Sequence, residues 1–336
     1  MIIIINGPCG IGKTTVAWEL IGCFDRAVML DGDYLGAVHP FEIYDGSRVA
    51  YLYETLRHVI AFHRERGGYT NFVINYVFER PESLAHLRSL LAEFDEAIYA
   101  FRLVAAPEVI EQRIIRRGDD PAWHLNRYKE LVAIQERAAL RGDIGFAIDT
   151  TALTAAEAAA LIWKHVQDRI VVQPYDPRWP QCYEAERARV ADALGELALE
   201  IHHVGSTAVV GLAAKPIIDL MVAVRSLEEA EDVRARLEPL GYQFRDHPEA
   251  MDRRFFRKGQ PRAYHLHLVA QGSETLRQHL IFRDVLRADP ALCAAYAQLK
   301  TELADRYAED RPAYTAGKES FIQEVLQRQK EEQAAG

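Results

Sequence analysis

The chain has 336 residues, of which 49% are hydrophobic and 26% are charged, and its formal net charge is −9. The length predicts two globular domains, and the acidic balance excludes a general basic surface, so neither duplex nucleic acid nor an anionic membrane is expected as a partner. Four scattered cysteines without a CxxC pair, and a short apolar start without a cleavage site, predict a cytoplasmic protein lacking a signal peptide and membrane helices.

The first half of the chain alternates apolar runs with helical patterns. Residues 2–5, IIII, are β-branched throughout and end at Asn6-Gly7, which predicts a central parallel strand buried on both faces. Further strands are predicted at 27–33, 71–78, 97–105 and 145–150, and helices at 14–24, 81–94, 107–117 and 154–167. Because strands and helices alternate, residues 1–167 are predicted to form an α/β domain with a parallel sheet covered on both faces.

The second half has a different pattern. Three prolines within seven residues, Pro174, Pro177 and Pro180, mark a connector over 168–180. Strands are then predicted at 217–224, 253–257 and 263–270, and helices at 181–197, 226–239, 272–288, 290–307 and 317–328. This clustering of strands predicts an α+β domain over 170–328, and the charged tail at 329–336 is expected to be frayed.

A phosphate-binding pattern follows the first predicted strand. GPCGIGKT, residues 7–14, matches GxxxxGK[ST] in full. Glycines let the backbone wrap phosphate groups, amide groups and the helix N-terminus face the anion, Lys13 reaches the β and γ oxygens, and Thr14 ligates Mg²⁺. The pattern therefore predicts an ATP site with Mg²⁺, whose nucleotide-binding residues would be Gly7, Cys9, Gly10, Ile11, Gly12, Lys13, Thr14 and Thr15.

Two acids end the next strand pattern. LDGDYLG places Asp31 and Asp33 at the edge of a parallel sheet where ligands lie. With the phosphate loop, this D-x-D pair resembles the small-molecule kinases of the P-loop superfamily, such as gluconate, shikimate and chloramphenicol kinases. The resemblance covers residues 1–167 and implies that Asp31 helps to hold Mg²⁺, while Asp33 orients an acceptor hydroxyl and takes its proton. A solvent-exposed acidic turn is the alternative.

The segment EQRIIRRGDDPAWHLNRYKEL, residues 111–131, resembles the arginine-bearing lid of the same kinases. Arg113, Arg116 and Arg117 share one helical face, and Arg127 follows a turn at 118–121. Guanidinium groups match phosphate oxygens and neutralise transition-state charge, so catalytic roles are implied for Arg116, Arg117 and Arg127. A solvated basic helix edge is the alternative.

The resemblance also bears on the rest of the first site. It implies that the loop around Thr150 and Thr151 touches the adenine ring. The acceptor is expected to be a small hydroxylated metabolite, and the segments that would line its pocket supply Tyr34, His39, Glu42, Tyr76, Glu79 and Arg80.

The second half contains another phosphate-site signature. HVGSTAVVGLAAKPIIDLMV, residues 203–222, has a Gly-Ser turn followed by a carboxylate in an apolar strand. With YDPRWP (175–180), RRFFRKG (253–259), YHLHLV (264–269) and YTAGKESFI (314–322), it closely resembles the GrpB family, which has a nucleotidyltransferase fold. The resemblance covers nearly all of 170–328 and implies that Gly205 and Ser206 cradle a nucleotide or phosphate and that Asp219 binds metal.

This second site lacks a part of the nucleotidyltransferase metal clamp. Met221 stands where a second carboxylate would follow Asp219 on the same strand face, and a thioether does not ligate a hard cation. Asp219 alone would still permit one metal ion, and His265 and His267, which alternate onto one strand face, are candidate helpers. Together with Lys215, Arg254 and Lys318, they would make an anion pocket for phosphate, nucleotide or a carboxylated metabolite. For each histidine, a core or rim position is the alternative.

These patterns predict an ATP- and Mg²⁺-dependent kinase that phosphorylates a hydroxyl of a small molecule and is fused to a GrpB-like nucleotide-binding domain. One rival is a nucleotide-binding regulator in the first half, with nucleotidyl transfer in the second. Another is a second domain that serves only as an inactive interaction module.

Overall fold

A computed structural model describes residues 1–38, 46–95, 98–117, 121–246 and 251–335, except for the side chains of residues 117, 121, 122 and 332–335. Two compact units divide the chain, Met1–Gln167 and Asp168–Gly336. No helix in the described part of the chain combines the length and the apolarity that a membrane crossing requires.

The first domain is a parallel sheet with helices packed on both faces. Its elements are β1 (Ile2–Asn6), α1 (Lys13–Ile21), β2 (Val28–Asp31), α2 (Gly32–Leu35), α3 (Gly46–Gly67), β3 (Phe72–Asn75), α4 (Pro81–Leu91), β4 (Ile98–Val104), α5 (Pro107–Arg117), α6 (Pro121–Arg141), β5 (Phe146–Asp149) and α7 (Ala155–Val166). The strand order is β2-β3-β1-β4-β5, and every pairing is parallel. The predicted α/β class is confirmed.

The run of isoleucines in β1 explains why this strand is central. Ile3 and Ile5 pack into the core on one face of the sheet, and Ile2 and Ile4 pack into the core on the other. All four side chains are fully buried, because successive residues of a strand point to opposite faces and both faces are covered.

Two long helices of this domain are absent from the predictions. In α3, an apolar stripe that includes Leu52, Leu56 and Ile60 is buried, but exposed Tyr51 and Phe62 dilute the helical pattern in the sequence. Helix α6 contains residues 121–131 of the segment that was expected to be a lid. Both helices are long because their polar faces carry good helix formers, whereas the periodicity alone is weak.

The second domain is a mixed sheet. Its elements are α8 (Trp179–Leu194), β6 (Glu200–Val204), β7 (Ile218–Val224), α9 (Ala230–Leu237), β8 (Gln243–Arg245), β9 (Arg253–Lys258), β10 (Tyr264–Ala270), α10 (Glu274–Ala288), α11 (Pro290–Arg306), α12 (Arg311–Ala316) and α13 (Glu319–Ala335). The strand order is β6-β7-β10-β9-β8, in which only the β7–β10 pair is parallel. This agrees with the predicted α+β class.

The local differences from prediction have physical reasons. Strand β6 contains two histidines and β8 is only three residues long, so neither gives a clear strand pattern. Pro180 lies in the first turn of α8, where proline costs no hydrogen bond. Helix α13 continues to Ala335, through most of the tail that was expected to be frayed. This stretch is rich in glutamine, glutamate and alanine, which favour helix.

The two faces of the second sheet differ in chemistry. On one face, Leu220 and Val222 of β7 pack with Leu266 of β10 against α8 and α9. On the other face, Met221 packs in a smaller apolar cluster with Leu276 of α10. Since alternate residues share a face, Asp219 of β7 and two histidines of β10 lie on this second, less apolar face.

Asn6 at the end of β1 organises the first domain from within. Its amide donates to the carbonyl oxygens of Phe78 and Ile144, and its Oδ1 accepts from the N–H groups of Gly7 and Phe78 and from Nε2 of Gln135 in α6. The side chain is fully buried. Asn6 therefore joins the start of the phosphate loop to three other chain segments.

We expect Asn6→Ala to lower the free energy of unfolding of the first domain by about 3 kcal/mol or more, because several buried polar groups lose their partner and each costs about 1–3 kcal/mol. Urea denaturation of the full chain, followed by tryptophan fluorescence, measures this. The control is Asn71→Ala, which removes one exposed hydrogen bond to Arg26. Equal effects of the two substitutions would contradict the organising role of Asn6.

Candidate functional site

The phosphate loop joins β1 to α1 and has the backbone that the pattern predicts. Gly7, Gly10 and Gly12 have φ angles of 150°, 76° and 103°, a region that other residues rarely adopt. A Cβ at Gly10 would also lie 2.7 Å from Cγ1 of Ile114 in α5. Cys9 contacts the backbone of α6 through its sulfur, 3.8 Å from the carbonyl oxygen of His124. The loop is thus packed against α5 and α6.

The lysine and the threonines of the motif begin α1. Lys13 is buried, and its Nζ donates to the carbonyl oxygen of Pro8 within the loop. Thr14 and Thr15 are exposed, whereas Ile11 is buried in the domain core. The lysine of the loop is therefore enclosed, whereas both threonine residues remain accessible to solvent.

Thr14, Asp31 and Asn75 form a hydrogen-bonded set at the carboxyl ends of β2 and β3. Thr14 donates to Oδ2 of Asp31 at 3.0 Å, and the amide of Asn75 donates to Oδ2 of Asp31 at 2.8 Å and to Thr14 Oγ1 at 3.2 Å. Oδ1 of Asp31 accepts from the N–H groups of Asp33 and Tyr34. One carboxylate thus connects α1, β3 and α2.

Asn75 was not predicted as a site residue. The signal is present in the sequence, because NFVIN ends an apolar strand on a polar residue at the edge where ligands lie. The Asn75 side chain is buried, and its Oδ1 has no hydrogen-bond partner among the residues that the structure describes. An oxygen ligand is thus available beside Thr14 and Asp31.

Asp33 interacts electrostatically with Lys13. Burial raises the pKa of Asp33, the positive charges of Lys13 and Arg48 lower it, and the charge of Asp31 raises it, with a raised pKa as the result. The residue is still accessible to solvent. Its role in orienting an acceptor hydroxyl stays a prediction.

Arg48 is a second residue that the sequence did not reveal. It lies on α3, is buried, and donates to the carbonyl oxygen of Gly36. It also interacts with Tyr76, whose pKa is raised by burial and lowered less by the charge and hydrogen bond of Arg48. Because α3 itself was not predicted, nothing in the sequence pattern connected Arg48 to Asp33.

The arginines expected to form a lid have different surroundings. Arg113 donates to the carbonyl oxygens of Ile11, Thr150 and Leu153, so it supports the phosphate loop and the loop that follows β5. Arg116 is exposed. The side chain of Arg117 and residue Gly118 lie outside the described residues.

Arg127 of α6 is held by carboxylates. Its guanidinium contacts Glu79 at 2.8 Å and Glu130 at 2.7 Å. Of the other residues proposed for the acceptor pocket, Tyr34 and Arg80 are exposed, Tyr76 is buried, and His39 and Glu42 lie outside the described residues. The described residues that remain candidates for the acceptor pocket are Arg48, Asp33, Tyr76 and the Glu79–Arg127 pair.

The second candidate site is built on β7 and β10. Asp219 is paired with His265 in the parallel register of these strands, and Nδ1 of His265 lies 3.0 Å from Oδ1 of Asp219. Nε2 of His267 lies 3.8 Å from the same oxygen. Burial would raise the pKa of Asp219, but the two histidines outweigh it and lower the pKa.

The Gly-Ser turn lies directly against this carboxylate. A Cβ at Gly205 would be 2.4 Å from Oδ2 of Asp219, and Gly205 has a φ of 71°, so only glycine fits here. Ser206 begins a short helical turn over 206–208 and is hydrogen-bonded to Tyr296. Met221 is fully buried.

Positive charge surrounds Asp219. Nζ of Lys215 and Nζ of Lys318 lie 4.8 and 4.6 Å from the ring centre of Tyr314, and both lysines interact electrostatically with Asp219. Burial, with the charges of Arg311 and Lys318, lowers the pKa of Lys215 to about 7. The anion pocket expected around Asp219 stays a prediction.

The prediction that Arg254 contributes to the anion pocket is wrong, because its side chain lies on the other face of the sheet. Arg254 donates to the backbone carbonyl oxygens of Met251 and Arg253, and its neighbour Phe255 packs against His265 and His267. Since alternate residues of β9 point to opposite faces, Arg253 shares the face of the histidines and Arg254 does not.

Fold and site together define the class of each domain. A phosphate loop between β1 and α1 and a parallel sheet of order β2-β3-β1-β4-β5 define the first domain as a P-loop domain. The second is an α+β domain with a Gly-Ser turn beside a strand carboxylate. Residues 169–328 match the family described as GrpB protein, and through this domain the chain belongs to the GrpB family.

Individual proteins resemble this chain over about half of its length. The chain is 43% identical over 173 residues to the UPF0157 protein PA4798 of Pseudomonas aeruginosa, covering 49% of this chain and 70% of that protein. It is 36% identical over 149 residues to the UPF0157 protein YqkA of Bacillus subtilis, covering 44% of this chain and 43% of that protein, so the match spans less than half of that relative. A solved shikimate kinase from Acinetobacter baumannii in complex with shikimate shares 19% identity and a TM-score of 0.34, covering 50% of this chain and 93% of the kinase.

The lowered pKa of buried lysines makes the stability of the second domain depend on pH. Burial, with the charge of Lys318, lowers the pKa of Lys300 from 10.5 to about 7. Between these values the unfolded chain binds the proton that the folded chain has lost, so stability rises with pH. We expect the unfolding free energy to increase between pH 7 and 9, and Lys300→Met to reduce the slope by about 1 kcal/mol per pH unit.

Urea denaturation of the full chain at several pH values measures this slope. The control is Lys330→Met, at an exposed position of the same domain. A wild-type slope that Lys300→Met leaves unchanged would show that Lys300 stays protonated when buried.

Proposed function

We propose that the first domain transfers the γ-phosphoryl group of ATP to a hydroxyl group of a small molecule. The observation that carries this proposal is that Asp33 is held by Asp31 beside a complete phosphate loop and interacts electrostatically with its Lys13. Asp31 accepts hydrogen bonds from Thr14 and from the backbone of Asp33, so the loop and the acid share one support. A nucleotide-binding switch does not require an acid at this place.

Asp33 has the properties of a general base for an alcohol. Its pKa is raised by burial, which makes the carboxylate a stronger base than an ordinary aspartate while it remains accessible to a substrate. Arg48 and Tyr76 lie beside it and offer hydrogen bonds to a polar substrate. We also propose that Arg116, Arg117 and Arg127 stabilise the transferred phosphoryl group. For Arg127 this requires release from its ion pair with Glu79.

The oxygen atoms beside the phosphate loop suit Mg²⁺. Thr14 supplies a hydroxyl, Asp31 a carboxylate and Asn75 a buried amide oxygen without a described partner, and Mg²⁺ prefers such hard oxygen ligands. When bound with ATP, the ion would neutralise phosphate charge. Thr14 and Asp31 would hold it directly or through water, and Asn75 would orient Asp31.

Nucleotidyl transfer by the second domain is the rival reaction, with the P-loop domain as a nucleotide-binding regulator. It is less well supported, because two-metal catalysis uses two carboxylates and the position of the second is occupied by buried Met221. The second domain is instead proposed to bind a nucleotide or another phosphate compound through Gly205, Ser206 and Lys215.

We expect Asp33→Asn to lower turnover about 100-fold or more and to change ATP affinity less than about threefold, because the amide keeps the shape but cannot accept a proton. The acceptor is first sought by thermal-shift screening of hydroxylated metabolites with a non-hydrolysable ATP analogue. Turnover is then followed with γ-labelled ATP. The control is Asp25→Asn, an exposed aspartate of the same domain.

Parallel reactions with α- and γ-labelled ATP separate the two transfer reactions. Movement of the γ label to the acceptor supports the kinase. Movement of the α label alone would reject it, as would an Asp33→Asn protein with unchanged turnover.

Asn75→Ala tests the magnesium assignment. We expect it to weaken ATP binding about 10-fold or more in the presence of Mg²⁺, since orienting partners of metal ligands have effects of this size, and to have little effect in EDTA. Calorimetric titration measures both, with Asn71→Ala as the control. A loss of equal size in both conditions would assign Asn75 a purely structural role.

A further inference from the structure

Asp219, His265 and His267 bring three potential metal ligands together. One carboxylate oxygen and one nitrogen from each ring lie within 4.8 Å of one another. Two metal–ligand bonds of about 2.1 Å place their outer atoms about 3.0–3.4 Å apart. The measured separations from Oδ1 of Asp219, 3.0 Å to His265 and 3.8 Å to His267, are close to this range.

The three side chains are incompletely bonded by the protein. Only His265 makes a hydrogen bond to Asp219 at normal distance. The other ring nitrogens, Nε2 of His265 and Nδ1 of His267, are buried and have no hydrogen-bond partner in the described part of the chain. No described group therefore competes at these outer nitrogens, and Nδ1 of His265 and Nε2 of His267 are the nitrogens that face Asp219.

The rings are held in place from outside the cluster. Phe255 of β9 packs against both, with ring centres 4.9 Å from His265 and 5.1 Å from His267. The adjacent β7 and β10 strands fix the register between Asp219 and His265. Because the positions come from strands rather than from a loop, the cluster is rigid before any ligand binds.

The ligand types indicate which ion would bind. Mg²⁺ and Ca²⁺ prefer oxygen atoms, whereas imidazole nitrogen favours zinc and other first-row transition metals. Two histidines and one carboxylate are three protein ligands, which leave a position open for an exchangeable ligand. Lys215 and Lys318 place positive charge near Asp219, so this open position would favour water or an anion.

We propose that the second domain binds one divalent transition-metal ion through Asp219, His265 and His267. Oδ2 of Asp219 lies against Gly205, which leaves Oδ1 for the ion. This site differs from the magnesium site expected for a nucleotidyltransferase. Met221 occupies the position of the second carboxylate, and two histidines of the neighbouring strand would supply ligands in its place. The proposal is independent of the kinase reaction and survives its failure.

Zinc binding to the metal-free full-length protein tests the site. We expect the wild type to retain one more Zn²⁺ per chain than His265→Gln or His267→Gln after dialysis against a weak chelator, and to keep it in excess Mg²⁺. The affinity should fall roughly 100-fold or more in either variant. His202→Gln is the matched control, because His202 lies on neighbouring β6 and pairs with Glu200.

Two results would overturn the proposal. One is equal zinc content in the wild type and in folded His265→Gln and His267→Gln proteins, since other groups would then bind the metal. The other uses the wild type alone and so does not depend on the variants folding: ring-nitrogen NMR signals of two histidines should shift when Zn²⁺ is added, and unchanged signals would exclude their coordination.

Discussion

The carboxylate of Asp31 is the interaction on which the first site depends. Its Oδ2 accepts from Thr14 and Asn75, and its Oδ1 accepts from two backbone N–H groups of α2. The same group therefore fixes the start of α1, the end of β3 and the direction of α2. Because α2 carries Asp33, the acid proposed for proton transfer is positioned by the residue proposed to hold the metal.

The sequence predicted the elements whose signals are local. The phosphate loop, the isoleucine strand and the acids after β2 are short patterns with a direct physical cause, and the structure contains them at the predicted positions. Arg48 depends on contacts between α3 and the sheet edge, so no local pattern pointed to it, whereas Asn75 does end an apolar strand pattern and its role depends on contacts with the neighbouring β2 and α1. Arg113 was grouped with Arg116 by helical spacing, but spacing cannot tell which carbonyl groups lie above a helix face.

The second domain shows the same division between local and distant information. Asp219, His265 and His267 were each selected from the sequence, and strand alternation placed the two histidines on one face. Their meeting with Asp219 depends on the register of β7 with β10, two strands more than forty residues apart. A one-residue shift of that register would move the imidazoles to the opposite face. The alternation of histidine and leucine in β10 disfavours such a shift, but it does not identify β7 as the neighbouring strand.

The anchorage of α6 by Asn6 has a mechanical consequence. Gln135 is fixed to Asn6 and to the carbonyl oxygen of Phe78, while Arg127 lies eight residues earlier on the same helix, a distance of about 12 Å along its axis. The helix is therefore fixed at Gln135, next to the start of the phosphate loop, and its Arg127 end lies at a distance from this pivot. A tilt of about ten degrees around Gln135 would carry the Arg127 end by about 2 Å, so a small change at the end of β1 becomes a larger displacement at the arginine.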